Sequence, residues 1–409
     1  MNRKMALLSV FLMAICLLES GCGNSTLGAN NKNSVKSITV AARDGSHTDV
    51  INAVIEDFEK DNNCVVNVVS MGATELHDAV LDNATKEVAF YDVIMIDDPL
   101  MPEYIEKGIL TNLTTLGYSD DEDFVEKSRL LGKDPYPLGA TYALPFSGNV
   151  QLIFYNQDII TDASCLNDWA SILEACEKAK ANGKEGYAIR GQTGNPIVSD
   201  FLPILWAFGG DLFDDNNNVV LDSPESREAL EFYCKLLETG ANYDKDNLIQ
   251  AITSGTAGIA LGWPSWFVTG EGPTASIAQI PGKKNPQSDT LPTGEIGNWL
   301  LGVSKNTQNP DLSLKLAEYL TSAEVQQKAL DFGGVPTRKS IFKNPEVTSK
   351  YPYFDQLYSG TNNSRVRPRT TKWSQIEDVF GAELVKCIEG KQSIDETITN
   401  SQKAIENLQ

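Results

Sequence analysis

The chain has 409 residues, with 34 basic and 55 acidic side chains and a formal charge of −21 at pH 7. This acidic balance opposes binding to polyanions, because phosphate contacts need clustered Lys and Arg, so we expect no nucleic-acid partner. The length is greater than one ordinary hydrophobic core covers and predicts two domains.

The amino terminus has the pattern of an export signal. Two cations precede an apolar core at residues 5–18, which is shorter than the roughly 20 residues of a membrane span. The pattern predicts a signal peptide over 1–21, a lipidated Cys22 and a flexible polar tether over 22–36. The Gly-Cys pair resembles bacterial lipoprotein signals, but Glu19 departs from them, so a plain secreted form with an incidental thiol stays open. We expect an extracytoplasmic protein, anchored to the cell membrane only through its lipid.

The first part of the folded chain predicts a βαβαβ unit. Alternation at 37–42 and apolar runs at 64–69 and 93–96 predict strands, and helical spacing of apolar residues at 50–58 and 76–86 predicts helices between them. Continuous apolar strands alternating with helices indicate a parallel sheet covered on both faces. Ligands of such sheets lie beyond the carboxyl ends of the strands.

A second α/β lobe with a helical carboxyl-terminal part is expected after an extended crossing segment at 142–150 and an apolar segment at 152–156. The predicted elements are strands at 187–190, 258–261 and 299–303, and helices at 169–181, 201–208, 224–238, 311–321, 323–331, 373–389 and 394–408.

Cysteine and histidine usage gives no catalytic or metal motif. The cysteines after Cys22 are odd in number and lack paired spacing, so no disulfide framework is predicted, and Cys176 and Cys234 lie at helical spacing typical of small core residues. His47 and His77 have no catalytic or metal-binding pattern around them. We expect no cofactor and no metal.

One segment has the offsets of a calcium loop. Its five acidic or amide residues are Asp214, Asn216, Asn218, Asp222 and Glu225. Val219 stands where the loop needs a turning Gly, and Ser223-Pro224 is typical of a helix start. We therefore predict a tight turn between short strands rather than a calcium site.

Several short motifs resemble, in the same order, those of one family. They are DVIMID at 92–97, YALP at 142–145, YN at 155–156, AFGG at 207–210, GNWLL at 297–301, GGVPTR at 333–338 and GKQSIDE at 390–396. Each motif is weak alone, but their ordered spacing covers nearly the whole mature chain. The chain resembles extracellular solute-binding protein family 1, the carbohydrate-binding lipoproteins of ABC importers that include the maltose- and polyol-binding proteins.

The resemblance implies an α/β fold with two lobes, as in type II periplasmic binding proteins, and a ligand held in the cleft between lobes that close by hinge motion. It implies a small carbohydrate ligand, the transmembrane subunits of an ABC permease as partners, and no reaction; we expect a monomer. The implied first lobe is 37–146 and 304–335, the second lobe is 150–298 and 339–409, and the crossings lie near 146–150, 299–303 and 333–338.

Sugar recognition needs flat aromatic faces against the apolar face of the ring and planar polar groups that pair with adjacent hydroxyls. Trp263 and Trp299 are the strongest aromatic candidates, because each adjoins a Gly-bearing strand end near the expected cleft. The other aromatic candidates are Trp206, Trp266 and Trp373. Core packing is the alternative role for each of them.

The polar candidates follow predicted strands or lie in crossing segments. They are Arg43, Asp97, Asp98, Asn149, Arg190 and Arg367. Arg190 resembles a position in polyol- and sugar-binding members where the Arg faces the ligand, and Arg367 lies in a basic run that a solvated loop explains equally well. The rigid fork of arginine suits vicinal hydroxyls and carboxylates alike, which keeps acidic sugars open.

The sequence is also compatible with other functions. A polyamine or peptide carrier or a ligand sensor would keep the fold, although the predicted arginines would repel a polyamine. An extracellular glycosidase would need a pair of carboxylates about 5–10 Å apart, and no motif identifies one. No nucleotide-binding P-loop is present in the sequence, so ATP hydrolysis would reside in another chain.

Overall fold

The structure is a computed structural model that describes residues 35–282 and 294–409. The predicted signal peptide over 1–21, Cys22 and nearly all of the predicted tether over 22–36 lie outside the described residues. In the part that is described, no helix combines the length and the apolar character needed to cross a membrane.

Helices and strands alternate along the described chain. The helices are α1 (Ser46–Asn62), α2 (Ala73–Ala84), α3 (Met101–Glu106), α4 (Glu126–Leu131), α5 (Trp169–Ala181), α6 (Asn195–Ala207), α7 (Pro224–Glu238), α8 (Lys245–Thr253), α9 (Pro264–Phe267), α10 (Pro310–Leu320), α11 (Ala323–Ala329), α12 (Lys339–Phe342), α13 (Pro345–Lys350), α14 (Phe354–Asn363), α15 (Trp373–Ile388) and α16 (Ile394–Glu406). The strands are β1 (Lys36–Arg43), β2 (Cys64–Met71), β3 (Val93–Asp97), β4 (Lys133–Asp134), β5 (Ala140–Thr141), β6 (Ala143–Ser147), β7 (Leu152–Tyr155), β8 (Glu185–Ile189), β9 (Ala241–Asn242), β10 (Ala257–Gly262), β11 (Val268–Thr269), β12 (Gly272–Pro273), β13 (Ser276–Ala278) and β14 (Trp299–Val303).

The first sheet has the strand order β2-β1-β3-β14-β6. Strand β1 is parallel to β2 and β3, while β14 is antiparallel to β3 and β6. The predicted βαβαβ unit is confirmed, with α1 and α2 connecting the three parallel strands. Ile94 and Met95 of β3 are buried as neighbours along the strand, which explains why this strand is apolar without alternation.

The second sheet has the strand order β13-β7-β10-β8-β9. Strand β10 is parallel to β8 and antiparallel to β7, so the carboxyl ends of β8 and β10 lie at the same edge. This sheet, with α5, α6, α7, α15 and α16 packed around it, gives the second α/β lobe that the sequence predicts.

Separate hydrophobic clusters surround the two sheets. The first takes its residues from Ile38 to Phe146 and from Ile296 to Ala329. The others take theirs from 150–280 and 330–405, with Val125 added from the first lobe. The mixed α/β architecture with two sheet-containing lobes is confirmed, while the lobe boundaries given above stay predictions.

Three chain segments meet where the lobes join. The backbone carbonyl of Asn149 accepts hydrogen bonds from the Gly297 N–H at 3.0 Å and from the Asn298 side-chain amide at 2.9 Å. The Gly148 N–H donates to the Val335 carbonyl at 3.0 Å. These contacts hold the crossing segments side by side and form the floor between the lobes.

Some elements were not predicted. Helix α8 and the run α12, α13 and α14 were missed, because each is short and has few apolar residues with which to reveal a helical period. Helix α7 begins as expected, with the Ser223 side chain accepting a hydrogen bond from the Ser226 N–H and Pro224 in the first turn.

The calcium-like segment is a turn, as predicted. Asp214 Oδ1 accepts hydrogen bonds from the N–H groups of Asn216 and Asn218 at 2.8 Å, and a β-bridge joins Phe213 to Val219. The carboxylate is therefore used within the turn. In the described ranges there is no group of three or more His, Cys, Asp or Glu residues that could hold a metal ion.

Candidate ligand-binding cleft

A cavity of about 670 Å³ lies between the two lobes. One wall is formed where β1 and β3 end and α1 and α2 begin, and the other where β8 and β10 end and α6 begins. The joining segments contribute Asn149, Gly297 and Trp299, and Arg367 lies at the same floor. The volume is in the range of small-molecule sites, and the position at the carboxyl ends of parallel strands is the one expected for this sheet type.

The cavity brings together most of the residues that were predicted to bind ligand. Its lining contains Arg43, Asp97, Asn149, Arg190, Trp263, Trp266, Trp299 and Arg367. Polar groups and indole rings thus face one space from three directions.

Three indole rings belong to the lining, together with Tyr104 and two histidines. Trp299 is the first residue of β14, Trp263 directly follows β10, and Trp266 lies in the short helix α9. A Cβ atom on Gly297 would lie 2.3 Å from the Trp263 ring, so only glycine lets this ring lie against the floor. Flat apolar faces at the lining suit the C–H face of a sugar ring.

His47 packs beside Trp299, with ring centroids 5.6 Å apart. Burial, followed by the positive charges of Arg43 and Lys245, lowers the pKa of His47 to about 3. The ring is therefore neutral near pH 7, and its Nε2 atom has no hydrogen-bond partner among the residues that the structure describes.

Arg367 is held by two carboxylates at the floor of the cleft. Its guanidinium pairs with both oxygens of Asp97 and, at 2.9 Å, with Oδ2 of Asp98. Burial lowers the pKa of Arg367, but the charges of Asp97 and Asp98 outweigh that effect and raise it well above its ordinary value. Burial raises the pKa of Asp98 to about 6, opposed by the charge of Arg367. This ion cluster ties the segment before α15 to the end of β3.

Buried carboxyl groups of the second lobe lie around the same floor. Glu377 of α15 accepts a hydrogen bond from the Asn195 side chain at 2.7 Å, and burial raises its pKa to about 7. Glu295 accepts one from the Ser199 hydroxyl at 2.7 Å, and burial raises its pKa to about 8. In both cases the charge of Arg367 opposes the rise.

Asn149 connects the joining segment to the loop after β10. Its side-chain amide donates to the Ser265 hydroxyl at 2.9 Å, and its Oδ1 accepts from the Ser265 N–H at 3.1 Å. The amide N–H and the Oδ1 atom of Asn149 are therefore both bonded to Ser265, and Asn149 orients the segment that carries Trp263 and Trp266.

Three predicted residues do not reach the cavity lining. Asp98 is fully buried behind Arg367. Trp206 lies in the second-lobe core, donates from Nε1 to Asp211 at 3.3 Å and is covered by the guanidinium of Arg365. Trp373 begins α15 and is 1% exposed in the same core. Their positions are explained by packing and ion pairing rather than by ligand contact.

The sequence analysis missed several residues of the lining. They are His47, His77, Tyr104, Gln192, Asn195, Lys245, Glu377 and Asp378. Gly45 and Gly194, with φ of 77° and 86°, each end a strand-to-helix turn at the cleft. A Gly in this position after a predicted strand is a sequence signal that would have pointed to the helix starts carrying His47 and Asn195.

Comparison with known proteins gives a family match. Residues 44–327, more than half of the chain, match the family model described as bacterial extracellular solute-binding protein. A curated relative from Deinococcus radiodurans, a probable ABC transporter-binding protein, is 22% identical over 280 residues, which are 62% of this chain and 66% of that protein. The chain therefore spans just under two thirds of that relative's length.

Solved structures show the same fold. The maltose-bound MalE3 of T. maritima superposes with a TM-score of 0.82 at 24% identity, covering 92% of this chain and 100% of that chain. A ribitol complex of an ABC transporter solute-binding protein from Agrobacterium radiobacter K84 gives a TM-score of 0.81 at 19% identity, covering 91% and 99%. At this identity the likeness shows the shared two-lobed architecture.

Proposed function

Because the chain belongs to the bacterial extracellular solute-binding proteins, we propose that it captures a carbohydrate or polyol in the interlobe cleft and delivers it to an ABC permease. The observation that carries the proposal is the composition of the cavity lining. Three indole rings line the same cavity as the planar polar groups of Arg43, Asp97 and Arg190. Stacking faces together with paired donors and acceptors are what a ring with adjacent hydroxyls needs.

The relatives support the same class of ligand. The structures with the same fold that are described above hold maltose and ribitol, a sugar and a polyol. Capture would proceed by closure of the two lobes over the ligand about the segments that join them. The family is one of binding proteins, and the proposed activity is binding without turnover.

Membrane attachment is a separate part of the proposal. Cys22 would carry the lipid and become the first residue once 1–21 are removed, and the polar segment 22–36 would tether the folded body to the cell surface. Metabolic labelling with a palmitate analogue tests this part, with Cys22→Ala as the variant that should lose the label and enter the medium.

Ligand-dependent thermal unfolding tests the binding function. The purified chain is heated with mono- and oligosaccharides, polyols, uronic acids and polyamines at millimolar concentration. A ligand at about 1,000 times its dissociation constant stabilises the native state by about 4 kcal/mol. We expect saturable stabilisation with one carbohydrate class. Stabilisation by a polyamine alone, or consumption of the stabilising sugar, would contradict the proposal.

A pair of aromatic variants tests the site. Trp299→Ala removes an indole from the cavity, whereas Phe90→Ala removes an aromatic ring that is 63% exposed and outside the cavity lining. Only Trp299→Ala should weaken binding of the stabilising sugar, by about tenfold or more, since stacking contributes roughly 1 kcal/mol beyond burial. Equal affinities of the two variants would remove Trp299 from the site.

A further inference from the structure

Each lobe places one arginine in the cavity lining. Arg43 is the last residue of β1 in the first lobe, and Arg190 directly follows β8 in the second. Both therefore lie where a parallel strand ends and the chain turns into a helix. Their electrostatic surroundings indicate the charge of the ligand.

Arg190 is a buried cation without a carboxylate in contact. The residue is 9% exposed, and its guanidinium lies over the Trp266 ring at 4.9 Å from the centroid. Nη2 has long hydrogen bonds to neutral oxygens of Asn195 and Pro196, at 3.4 and 3.3 Å. Within residues 35–282 and 294–409, the Nε and Nη1 atoms of Arg190 make no hydrogen bond. Its guanidinium also has no ion pair within 4.0 Å there.

The nearest acid behind Arg190 is already engaged. Asp200 accepts the Tyr233 hydroxyl at 2.8 Å and the backbone N–H of Arg190, rather than its guanidinium. Because a charge taken out of water is costly unless it is paired, the free edge of the Arg190 guanidinium is suited to an anion that enters the cavity.

Arg43 approaches from the other lobe. Its guanidinium lies 6.0 Å from the Trp299 ring centroid and pairs with the partly exposed Asp44. Burial lowers the pKa of Arg43, and the positive charge of Arg190 contributes to the lowering, opposed by Asp97. Two like charges that line one cavity repel each other, which costs energy unless a negative group lies between them.

Two helix starts add to the positive potential of the walls. Helices α1 and α6, of 17 and 13 residues, follow Gly45 and Gly194, which provide no side-chain cap. The first-turn N–H groups of α1 and the positive ends of both helix dipoles favour an anion. In α6 the dipole acts without such donors, because Pro196 has no N–H and the Ile197 N–H donates to the Gln192 carbonyl at 3.1 Å.

The acidic residues of the lining offset this potential only in part. Asp97 is taken by Arg367, and Glu377 has a pKa near 7 because of burial. Asp78 and Asp378 are exposed at the rim, where water and salt screen their charges. The charge of the buried Arg190 is thus less screened than the charges of the exposed acids Asp78 and Asp378.

Resting on the proposed carbohydrate-binding function, we propose that the ligand is an acidic sugar whose carboxylate binds between Arg43 and Arg190. The ring would lie against the indoles of Trp266 and Trp299, on which these two arginines already pack. A planar carboxylate matches the arginine fork with two parallel hydrogen bonds.

Matched ligand pairs test this inference by calorimetric titration of the purified chain. The pairs are D-galacturonate with D-galactose, D-glucuronate with D-glucose and D-gluconate with D-sorbitol, together with glucose 6-phosphate and L-glutamate. We expect at least one acid to bind tenfold or more tightly than its neutral partner. In Arg190→Gln this ratio should fall towards one, while Lys178→Gln, an exposed cation of α5 outside the lining, should keep it.

The outcomes separate the inference from the function on which it rests. Neutral sugars that bind as tightly as the acids would overturn the inference and leave the carbohydrate function standing. Preference for glucose 6-phosphate would contradict the proposal that the anionic group of the ligand is a carboxylate. Binding of glutamate alone would overturn both proposals. Silence with every acid would also overturn the inference.

A separate observation concerns two cysteines of the second lobe. The Sγ atoms of Cys234 on α7 and Cys387 on α15 lie 4.0 Å apart, although 153 positions separate them along the chain. Cys387 is buried and Cys234 half-buried. The Cys234 thiol hydrogen-bonds to Cys387 and lowers the pKa of Cys387 to about 7, so a thiolate is available at neutral pH.

We also infer that Cys234 and Cys387 form a disulfide in the exported protein. The sulfurs have to approach by a further ~2 Å to reach bonding distance. The two thiols lose two protons and two electrons, and the acceptor is the disulfide of an extracytoplasmic thiol oxidase, which leaves as a dithiol. The bond would join α7 to the carboxyl-terminal helices.

Thiol counting tests the pair. The exported chain, isolated without added oxidant or reductant, is denatured and alkylated without reduction, and its mass is measured. In the native sequence and in Cys165→Ser, two cysteines should resist alkylation until a reductant is added. In Cys234→Ser, every cysteine should be alkylated without reduction. Reduction should also lower the melting temperature of the native sequence and not that of Cys234→Ser. Alkylation of every cysteine before reduction would overturn the inference.

Discussion

Two arginines of the same cleft differ in what surrounds them. Arg367, with a side chain 2% exposed, has two carboxylates in direct contact, whereas Arg190 is almost as deeply buried and has an indole face and two neutral oxygens. Both arginines are therefore buried, but within the described residues only Arg367 is paired with carboxylates. Removal of a buried cation that has its counter-charges in place is destabilising, because it leaves buried carboxylates unpaired, whereas a buried cation without them is available to a ligand.

The largest effect is expected at the paired arginine. Arg367→Ala leaves Asp97 and Asp98 close together without their cation, so the free energy of unfolding should fall by about 3–5 kcal/mol. Urea unfolding measures it. Arg365→Ala is the matched control from the same segment, because its side chain is 43% exposed and pairs with Asp211 at the surface. Similar losses in both variants would contradict the assignment of Arg367 as a structural cation.

A smaller effect is expected from the buried acid beside this cluster. Glu295 has a pKa near 8 in the folded chain, against 4.5 for an ordinary Glu, chiefly because of burial. The native state therefore holds a proton that the unfolded chain releases, and stability falls as pH rises from about 4.5 to about 8. The groups facing Glu295 are Arg367, Glu377 and Asp97.

Glu295→Gln should remove that part of the pH dependence. From pH 5 to pH 8, the unfolding free energy of the variant should rise relative to that of the native sequence by more than about 1 kcal/mol, since one pKa unit corresponds to 1.36 kcal/mol. Urea unfolding at the two pH values measures the gain. Glu271→Gln, at an exposed acid, should leave the pH slope unchanged. Parallel pH profiles for Glu295→Gln and the native sequence would contradict the raised pKa.

The smallest effect on stability is expected at the unpaired arginine. Without ligand, Arg190→Gln loses packing on Trp266 and two long hydrogen bonds but also removes a buried charge, so the unfolding free energy should change by no more than about 1 kcal/mol. Urea unfolding in the absence of sugar measures this. If the unfolding free energy fell by as much as in Arg367→Ala, Arg190 would have the same structural role as Arg367.

The sequence predicts the fold better than it predicts the site. Buried strands such as β3 are recognisable because every residue from 93 to 96 is apolar, and the helix start at Ser223 has its own local signal. Helices α12 to α14 have no such signal, because each is short, and the ring of Phe342 packs on Phe354 and Tyr358 of the same run.

Side-chain roles in the cleft depend on partners that local sequence does not reveal. Arg367 looks like part of a solvated basic loop until Asp97, 270 positions earlier, is seen beside it. Trp206 and Trp299 both adjoin glycine-containing motifs, yet only Trp299 faces the cavity. Tertiary pairing, rather than residue type, decides which candidate is structural.

The distribution of indoles gives the protein an optical signal of its own. Trp263, Trp266 and Trp299 line the cavity, whereas Trp169, Trp206 and Trp373 are packed in the second-lobe core. Emission from the core rings provides a constant background, and the cleft rings exchange water for ligand when the cavity fills. Intrinsic fluorescence can therefore follow occupancy in real time, without a label and without any substitution in the chain.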